Sequence, residues 1–248
     1  MGFLQPFEQG RLRVRLAGDA RDVDAALRLR FRVFNLELGE GLSASFATGR
    51  DEDELDAQFH HLIVEDERSR EVVGTYRVQT REMADAGRGF YSDGEFDLSA
   101  IPSEVLDDAV ELGRACIDKA HRNRHVLFLL WKGLAAYLAA HGKRHLFGCS
   151  SLTSQDPAEG LAAYAELRRR GHLHPTVHVN PRPPCVCEGD AGPTRVKIPT
   201  LFETYLRFGG TICGPPAIDR KFKTIDFLTW LDTGALDATV RRMFFGEA

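Results

Sequence analysis

The sequence has 248 residues, 43% hydrophobic and 27% charged, so it can bury a core and lies at the upper edge of single-domain size. Its formal net charge of −4 argues against a protein whose main partner is nucleic acid. The chain start lacks a basic segment followed by a long apolar run, and no stretch approaches about 18 apolar residues, so we expect neither a secretory signal nor a membrane span.

Five cysteines form an odd set in a chain of ordinary core composition, which favours reduced thiols and a cytoplasmic location. Cys185 and Cys187 stand one residue apart, and no matching Cys or His pair at zinc-finger spacing follows them. We therefore expect no metal site and interpret all five thiols as structural.

The first half of the chain alternates between strand and helix patterns. Residues 11–16 alternate polar and apolar side chains and predict a strand. Capping residues at 19–24 precede apolar residues at helical spacing, which predict an amphipathic helix that stops at Gly39. The polar, acidic segment 41–58 is typical of a mobile loop.

Three further strands are predicted at 61–64, 71–80 and 110–117, with a charged hairpin turn between the first two. The stretch 87–101 between the second and third strands is a loop rich in aromatic and acidic residues. Because the strands follow one another with few helices between them, part of the sheet is expected to be antiparallel.

The second half begins with a strongly apolar helix at 126–140, a short buried strand at 145–150 and a helix at 158–170. Beyond Thr176 the chain is Pro-rich, and short apolar pieces return at 201–208 and 227–231. The order β-α-β-β-β-α-β-α predicts a mixed sheet with helices on its faces.

Nine short motifs, in order between about residues 11 and 232, carry a family resemblance. They are Leu29–Phe34 with Glu37–Gly39, Asp53 with Asp56, His61–Val64, Val72–Val78, Phe90–Asp97, Glu111–Arg114, Leu130–Gly133, Leu146–Ser150 and Cys213–Asp219. Through them the chain resembles the ornithine lipid synthases and N-acyl-amino-acid synthases, a branch of the GNAT superfamily, and more distantly the acyl-homoserine-lactone synthases.

The resemblance implies an α/β protein with the GNAT acyltransferase fold, a mixed and mostly antiparallel central sheet flanked by helices. It implies a core over 11–175 and a C-terminal extension over 176–248, packed on that core within the same domain. The implied reaction moves a (3-hydroxy)fatty acyl group from acyl carrier protein to the α-amino group of L-ornithine, which gives a lyso-ornithine lipid.

Glu111 is the predicted general base, because amide formation requires a deprotonated amine and an α-ammonium with a pKa of about 8 is mostly protonated in the cytosol. The alternative is a strand glutamate that pairs with Arg114 for packing alone. A strand period of two sends Glu111 and Arg114 to opposite faces, but Gly113 permits a bulge, which the resemblance also implies. A bulge frees a backbone N–H that can act as oxyanion donor.

The resemblance implies that Arg30, Arg77 and Arg114 lie around the acceptor site, and a guanidinium suits an amino-acid acceptor because it binds a carboxylate through two parallel hydrogen bonds. Each arginine could instead pair with a nearby carboxylate for structural reasons. We predict Arg114 as catalytic beside Glu111, and a set of substrate-binding residues. That set is Arg30, Phe34, Asp53, Asp56, Arg77, Phe90, Glu95 and Trp131.

The aromatic loop offers Asp93, Glu95 and Asp97 as candidates for holding the second ammonium of ornithine, although acidic loops are usually just solvated. Phe90, in the same loop, is expected to line the acyl tunnel or to pack the loop down. No Cys-His or Ser-His-Asp constellation stands at recognisable spacing, which favours direct attack without an acyl-enzyme.

The acyl donor is predicted from the absence of a glycine-rich turn. Coenzyme-A-dependent members of the superfamily hold the pyrophosphate with a glycine-rich turn before the central helix, and 122–127 contains no glycine. Acyl carrier protein is acidic, so we expect it to dock on Arg122, Arg124 and Lys132. No cofactor and no nucleic acid are expected, and peripheral contact with the inner membrane stays open.

Three alternatives remain at this stage. The first is an N-acyl synthase with another acceptor, such as glycine or tyrosine. The second is a carrier-protein-binding module without activity. The third is a membrane-active or haem-binding protein, since similar sequences are often labelled hemolysin-like, but no long amphipathic strands support pore formation.

Overall fold

The computed structural model describes residues 5–192 and 196–246 of the chain. Within these residues one sheet contains the strands β1 (Phe7–Gln9), β2 (Leu12–Leu16), β3 (His60–Asp66), β4 (Glu71–Thr80), β5 (Ala109–Ile117), β6 (His145–Leu152), β7 (Thr211–Ile212), β8 (Ala217–Asp219) and β9 (Thr224–Asp232). The helices are α1 (Ala20–Arg30), α2 (Ser45–Thr48), α3 (Arg81–Ala86), α4 (Ser103–Asp107), α5 (Arg124–His141), α6 (Pro157–Arg169), α7 (Thr200–Arg207) and α8 (Ala238–Phe245).

The strand order is β1-β2-β3-β4-β5-β6-β9-β7, and β8 also pairs with β9. All neighbouring strands are antiparallel except β5 and β6, which run parallel. The prediction of a mixed, mostly antiparallel sheet flanked by helices is therefore confirmed.

Helix α5 covers one face of the sheet. Asn123 begins the helix by accepting the backbone N–H groups of His125 and Val126, and Gly142 ends it in the left-handed conformation. Gly133 permits close contact with the sheet, because a Cβ there would lie 2.9 Å from the Leu62 methyl groups. The apolar residues predicted as a helix thus become the packing surface over β2–β5.

The opposite face carries α1, the segment before β3 and the loop after α3. Helix α1 passes directly into a π-helical segment, Phe31–Leu38, and Gly39 ends it with φ 71°, as predicted. The segment 41–58, predicted as a mobile polar loop, instead contains α2 and the buried carboxylates of Asp51 and Asp56. Buried arginines of α1, β4 and β5 pair with these carboxylates, so the segment lies against the sheet.

The segment 176–248, predicted as an extension, contributes β7, β8 and β9 to the sheet. Strand β9 pairs with β6 along eight residue pairs, from His145–Asp232 to Leu152–Ile225. Residues 193–195 and 247–248 of this segment lie outside the described residues. The predicted division at residue 175 stays a prediction, but β9 lies inside the sheet rather than over it.

Candidate active site

Strands β5 and β6 separate in the middle of the sheet and form a wedge. They pair only through the first three residues of each, up to Glu111 and Phe147, while β5 stays paired with β4 and β6 with β9. Gly148 lies at the apex, where an added Cβ would come within 2.2 Å of the Leu112 carbonyl oxygen. Beyond this point β5 and β6 are no longer hydrogen-bonded to each other, and a gap opens between them.

A cavity of about 90 Å³ extends from this wedge over the α5 face of the sheet. Its wedge end is lined by residues 112–115 of β5 and 148–150 of β6. Its remainder is mainly apolar, with walls from β4, α5, α7 and α8 that include Tyr76, Trp131, Leu134, Tyr205, Phe208 and Phe244. Such a lining suits a hydrocarbon chain, and the wedge would hold the polar group at its end.

A β-bulge brings Arg114 to the same face as Glu111. Arg77 pairs with Gly113 and Thr75 with Cys116, so one residue of β4 opposes two of β5. Arg114 adopts φ 51°, in the left-handed region that non-glycine residues rarely occupy. The predicted bulge is therefore present, and it resolves the conflict between strand period and the spacing of Glu111 and Arg114.

Glu111 is 1% exposed and accepts three hydrogen bonds. Its Oε1 accepts from the Ser92 backbone N–H at 2.7 Å, and its Oε2 accepts from the Tyr91 N–H at 3.0 Å and from Gln79 Nε2 at 2.7 Å. Burial raises the pKa of Glu111, against the lowering effect of these hydrogen bonds. The side chain does not line the cavity, although its strand neighbours do.

Three arginines and three aspartates form a buried ionic network beside Glu111. Arg30 pairs with Asp51 at 2.8 Å and with Asp56 at 2.6 Å. Arg77 pairs with Asp53 and Asp56 at 2.7 and 3.1 Å. Arg114 completes the network through Asp51 at 3.3 Å and Asp53 at 3.2 Å.

The network shows how the predicted arginines are used in this structure. Arg30 is 1% exposed and does not line the cavity, so its guanidinium is taken up by Asp51 and Asp56. Arg77 keeps Nε and Nη2 without hydrogen-bond partners and lies over the Phe59 ring, 4.5 Å from its centroid. Arg114 lines the cavity and reaches the wedge directly.

The other predicted substrate-binding residues lie on two sides of the sheet. Trp131 lines the apolar cavity and stacks on Tyr205 with ring centroids 5.5 Å apart. Phe34 packs edge-on against Phe222, whose ring lies 3.9 Å below the Arg114 guanidinium. Phe90 packs against Phe147 at 5.1 Å and does not line the cavity, so it holds the aromatic loop to the sheet.

The structure separates the three acidic residues of the aromatic loop. Asp93 pairs with Arg182 at 2.6 Å, and Asp97 caps the turn at Ser99. Glu95 is 6% exposed and lies beside Cys149 and Asp226, with donor atoms of all three within 4.8 Å of one another.

The basic residues predicted for docking lie at the start of α5 and along it. Arg122 pairs with Glu37 and donates to the Ile117 carbonyl at 3.0 Å. Arg124 is exposed, and Lys132 lies over the Phe128 ring, 4.9 Å from its centroid. The first backbone N–H groups of α5 are bonded to Asn123 Oδ1, so that side chain fills the position where a phosphate oxygen would accept them.

Sequence reasoning missed Asp51 and Asp226. Asp51 is fully buried between Arg30 and Arg114. In the sequence it stands in an acidic run, and nothing there distinguishes it from the neighbouring acidic residues. Asp226 had a usable signal, because it directly precedes the apolar stretch 227–231 and becomes part of the buried strand β9. A charged residue in such a position is rarely buried without a partner.

Among the helices of residues 5–192 and 196–246, none combines the length and the apolar character that a membrane crossing requires.

Residues 29–132 match the family profile described as an acetyltransferase (GNAT) domain. The chain is 32% identical to an L-ornithine N(α)-acyltransferase of Rhodobacter capsulatus over 244 residues, which cover 93% of each chain. It is 30% identical to the L-ornithine N(α)-acyltransferase of Rhizobium meliloti over 252 aligned positions, covering 96% of this chain and 85% of that one.

Two solved structures share the fold. FeeM, an N-acyl amino acid synthase from uncultured soil microbes, superposes with a TM-score of 0.55 at 12% identity and covers 92% of this chain and 95% of its own. The AHL synthase LasI gives a TM-score of 0.52 at 13% identity and covers 96% of both chains. At these identities the likeness concerns the fold alone.

Proposed function

The chain belongs to the L-ornithine N(α)-acyltransferase family of the GNAT superfamily, and we propose that it transfers a (3-hydroxy)fatty acyl group from acyl carrier protein to the α-amino group of L-ornithine. The product is a lyso-ornithine lipid, and the carrier thiol is released. The observation that supports this reading best is the wedge between β5 and β6, which joins an apolar cavity on one face to Glu111 and Arg114 on the other.

The wedge suits the thioester. An acyl chain on the α5 face can place its carbonyl between the two strand edges, where backbone N–H groups that lack a strand partner can donate to the developing oxyanion. The bulge at Arg114 interrupts the regular pairing of β5 with β4 beside the wedge. The oxyanion donor therefore belongs to the backbone of the wedge and needs no particular side chain.

The acceptor approaches from the opposite face. The α-ammonium loses one proton to Glu111, and the free amine nitrogen then forms a bond to the thioester carbon. The C–S bond breaks, and the leaving sulfur takes the second proton that the nitrogen loses, which gives the carrier thiol. Glu111 passes its proton to solvent. The Glu111 carboxylate interacts with the Ser92 and Tyr91 backbones and with the Gln79 and Ser92 side chains, so the amine or a bridging water would take the place of the rotatable Ser92 hydroxyl.

Direct attack leaves no role for a cysteine nucleophile. Cys149 is the thiol nearest to the wedge, and its pKa is raised well above the ordinary value by burial and by the neighbouring Glu95 and Asp226. A protonated thiol is a poor nucleophile. The proposed reaction therefore proceeds without an acyl-enzyme on Cys149.

Acyl carrier protein is favoured as donor by the start of α5. The segment 122–127 has no glycine, and Asn123 already caps the helix, so an adenosine pyrophosphate would have to displace that cap. The positive end of the helix dipole and the exposed Arg124 offer a basic surface to an acidic partner. We keep the prediction that the enzyme works in the cytoplasm, and the lipid product leaves peripheral contact with the inner membrane open.

The test is an assay of the purified chain with a 3-hydroxyacyl thioester of acyl carrier protein and single amino acids. We expect N-acyl-ornithine by mass spectrometry, together with one free carrier thiol for each product formed. Faster use of glycine or tyrosine would favour the alternative N-acyl-amino-acid synthase. Absence of any acylated product with all acceptors, from folded protein, would reject the proposal.

A further inference from the structure

A second group of carboxylates lies next to the proposed acceptor site and has no cationic partner. Glu95 and Asp226 are 6% and 2% exposed, while Glu40 is buried nearby and Asp219 is half-buried. Within the described residues none of the four forms a salt bridge, whereas every carboxylate of the neighbouring network is paired with an arginine. Burying carboxylates together without a cation is unfavourable, so this group favours binding a proton or another cation.

Asp226 carries the most specific sign of a missing ligand. Its Oδ1 is buried and has no hydrogen-bond donor. Buried carboxylate oxygens in native proteins are almost always bonded. Carboxylate oxygens of Asp226 and Glu95 and the Cys149 sulfur lie within 4.8 Å of one another, so the Asp226 carboxylate belongs to this group.

A chain of short contacts connects the group to the reaction centre. Ser92 donates its backbone N–H to Glu111, and its Oγ lies 3.7 Å from Cys149 Sγ. Cys149 Sγ in turn lies 3.8 Å from Glu95 Oε2, and Cys149 also lines the cavity at the wedge. Glu95 is thus two contacts away from the backbone group that holds the predicted base.

Tyr91 links the group to Arg114. The Arg114 guanidinium lies 4.9 Å from the Tyr91 ring centroid, and the Tyr91 hydroxyl donates to Asp219 Oδ2 at 2.9 Å. Tyr91 and Asp219 are both partly exposed, which gives the group a connection to solvent. Arg114, the predicted base Glu111 and this group of carboxylates therefore lie around the proposed acceptor site.

We propose that Glu95 and Asp226 bind the side-chain ammonium of the acceptor and so select a diamino acid over a neutral one. The inference rests on the proposed function and specifies what distinguishes the acceptor. An ammonium donates three N–H groups, which match the free Asp226 Oδ1 and the Glu95 carboxylate. When it binds, it replaces the proton that the two carboxylates otherwise share.

An ammonium fits this group better than a metal ion does. The three donor atoms include the Cys149 thiol, whose pKa is raised well above the ordinary value by burial and by Glu95 and Asp226, so a metal would have to displace its proton. Mg²⁺ bound to two carboxylates keeps several waters, whereas an ammonium needs only hydrogen-bond acceptors.

The decisive comparison is between ornithine and norvaline, which has the same α-amino and carboxylate groups and the same three-carbon side chain but no ammonium. For the wild-type enzyme we expect kcat/KM for ornithine to exceed that for norvaline by about 10²-fold or more, because a buried charged site rejects a ligand that leaves it unpaired. In Asp226→Asn and Glu95→Gln this ratio should fall at least tenfold, because the loss with ornithine should be larger than any loss with norvaline.

Asp93→Asn is the matched control, because Asp93 lies in the same loop but pairs with Arg182 at the surface. It should leave the ratio unchanged. An unchanged ratio in folded Asp226→Asn and Glu95→Gln would overturn the inference, and wild-type enzyme that acylates neither amino acid would instead overturn the proposed function. Should a variant fail to fold, calorimetric titration of the wild type decides: equal affinity for ornithine and norvaline contradicts the proposal.

A metal is tested separately on the same proteins. Titration of wild type with Zn²⁺ and with Mg²⁺ should show no stoichiometric binding that Asp226→Asn abolishes. Such binding, together with loss of activity in chelator, would assign the group to a metal and overturn the inference.

Discussion

The Ser92 backbone N–H donates a 2.7 Å hydrogen bond to Glu111 Oε1, so the predicted base also anchors the aromatic loop. Without this bond and the one from Tyr91, the loop would lose its main attachment to β5. The same carboxylate would then serve catalysis and loop placement. Mutations at Glu111 must therefore be read with a measurement that separates the two roles.

Glu111→Gln should lower kcat by about 10² or more, because the amide keeps the shape but cannot accept the proton. The separating measurement is the pH profile of kcat/KM. A Gln79→Met change keeps the carboxylate and removes a hydrogen bond that lowers its pKa, so the acidic limb of the profile should move to higher pH. Near-native turnover in Glu111→Gln, or an acidic limb that stays in place in Gln79→Met, would contradict the role as base.

Asp226→Asn should make the unliganded protein more stable at neutral pH. Burial raises the pKa of Asp226, and that of Glu95 is raised well above its usual range, so the folded state binds more protons than the unfolded one. Stability from these groups is complete below their ordinary pKa values and is lost as the pH rises through the raised ones. Thermal unfolding of both proteins should be measured from about pH 4, near the ordinary carboxyl pKa, to about pH 8. The variant should be more stable than the wild type at the upper end of this range, and the difference in stability should shrink towards acid.

Asp56→Ala should destabilise the fold by about 3 to 5 kcal/mol, because it leaves the buried Arg30 and Arg77 without a counter-charge. Burial opposes ionisation of Asp56, but Arg30 and Arg77 lower its pKa, so its contribution is present above the ordinary aspartate pKa and is lost below it. Urea denaturation measures the change. The exposed pair of Asp24 and Arg28 is the control, since Asp24→Ala should cost no more than about 1 kcal/mol.

Gly148→Ala should reduce activity more than stability. The new Cβ would need the space 2.2 Å from the Leu112 carbonyl oxygen, so β5 and β6 must move apart at the apex of the wedge. We expect kcat to fall about tenfold or more, because a misplacement of about 1 Å at a reacting centre costs up to 10² in rate. Gly94→Ala, with no atom within 4 Å of the added Cβ, should retain activity, and equal losses in both variants would argue against the wedge.

Reversing Arg124 and Lys132 to glutamate should raise the apparent KM for the carrier-protein thioester and flatten its dependence on salt, with little change in kcat. Arg122 is a weaker test, because its guanidinium already pairs with Glu37. Reversal of Arg168 and Arg169 at the exposed end of α6 is the control. Equal effects at both places would show only that total charge matters.

The sequence could predict what depends on local pattern. The end of the first helix followed from Gly39, while the bulge was implied by the family resemblance and permitted by Gly113. Asp51 and Asp226 were not predicted, because their importance depends on which strands become neighbours. The pairing of β6 with β9 joins residues about eighty positions apart, and no local pattern encodes it.

That pairing also bears on how the chain folds. Strand β9 is synthesised after β1–β8, yet it is the only described neighbour of β6 on the side away from the wedge. Until β9 arrives, β6 exposes an unpaired edge, and Phe147 lacks the Trp230 ring that stacks on it at 5.3 Å. Unpaired apolar edges promote aggregation during synthesis. Co-translational folding must therefore stop short of the active site, whose second wall forms only after β9 has been made.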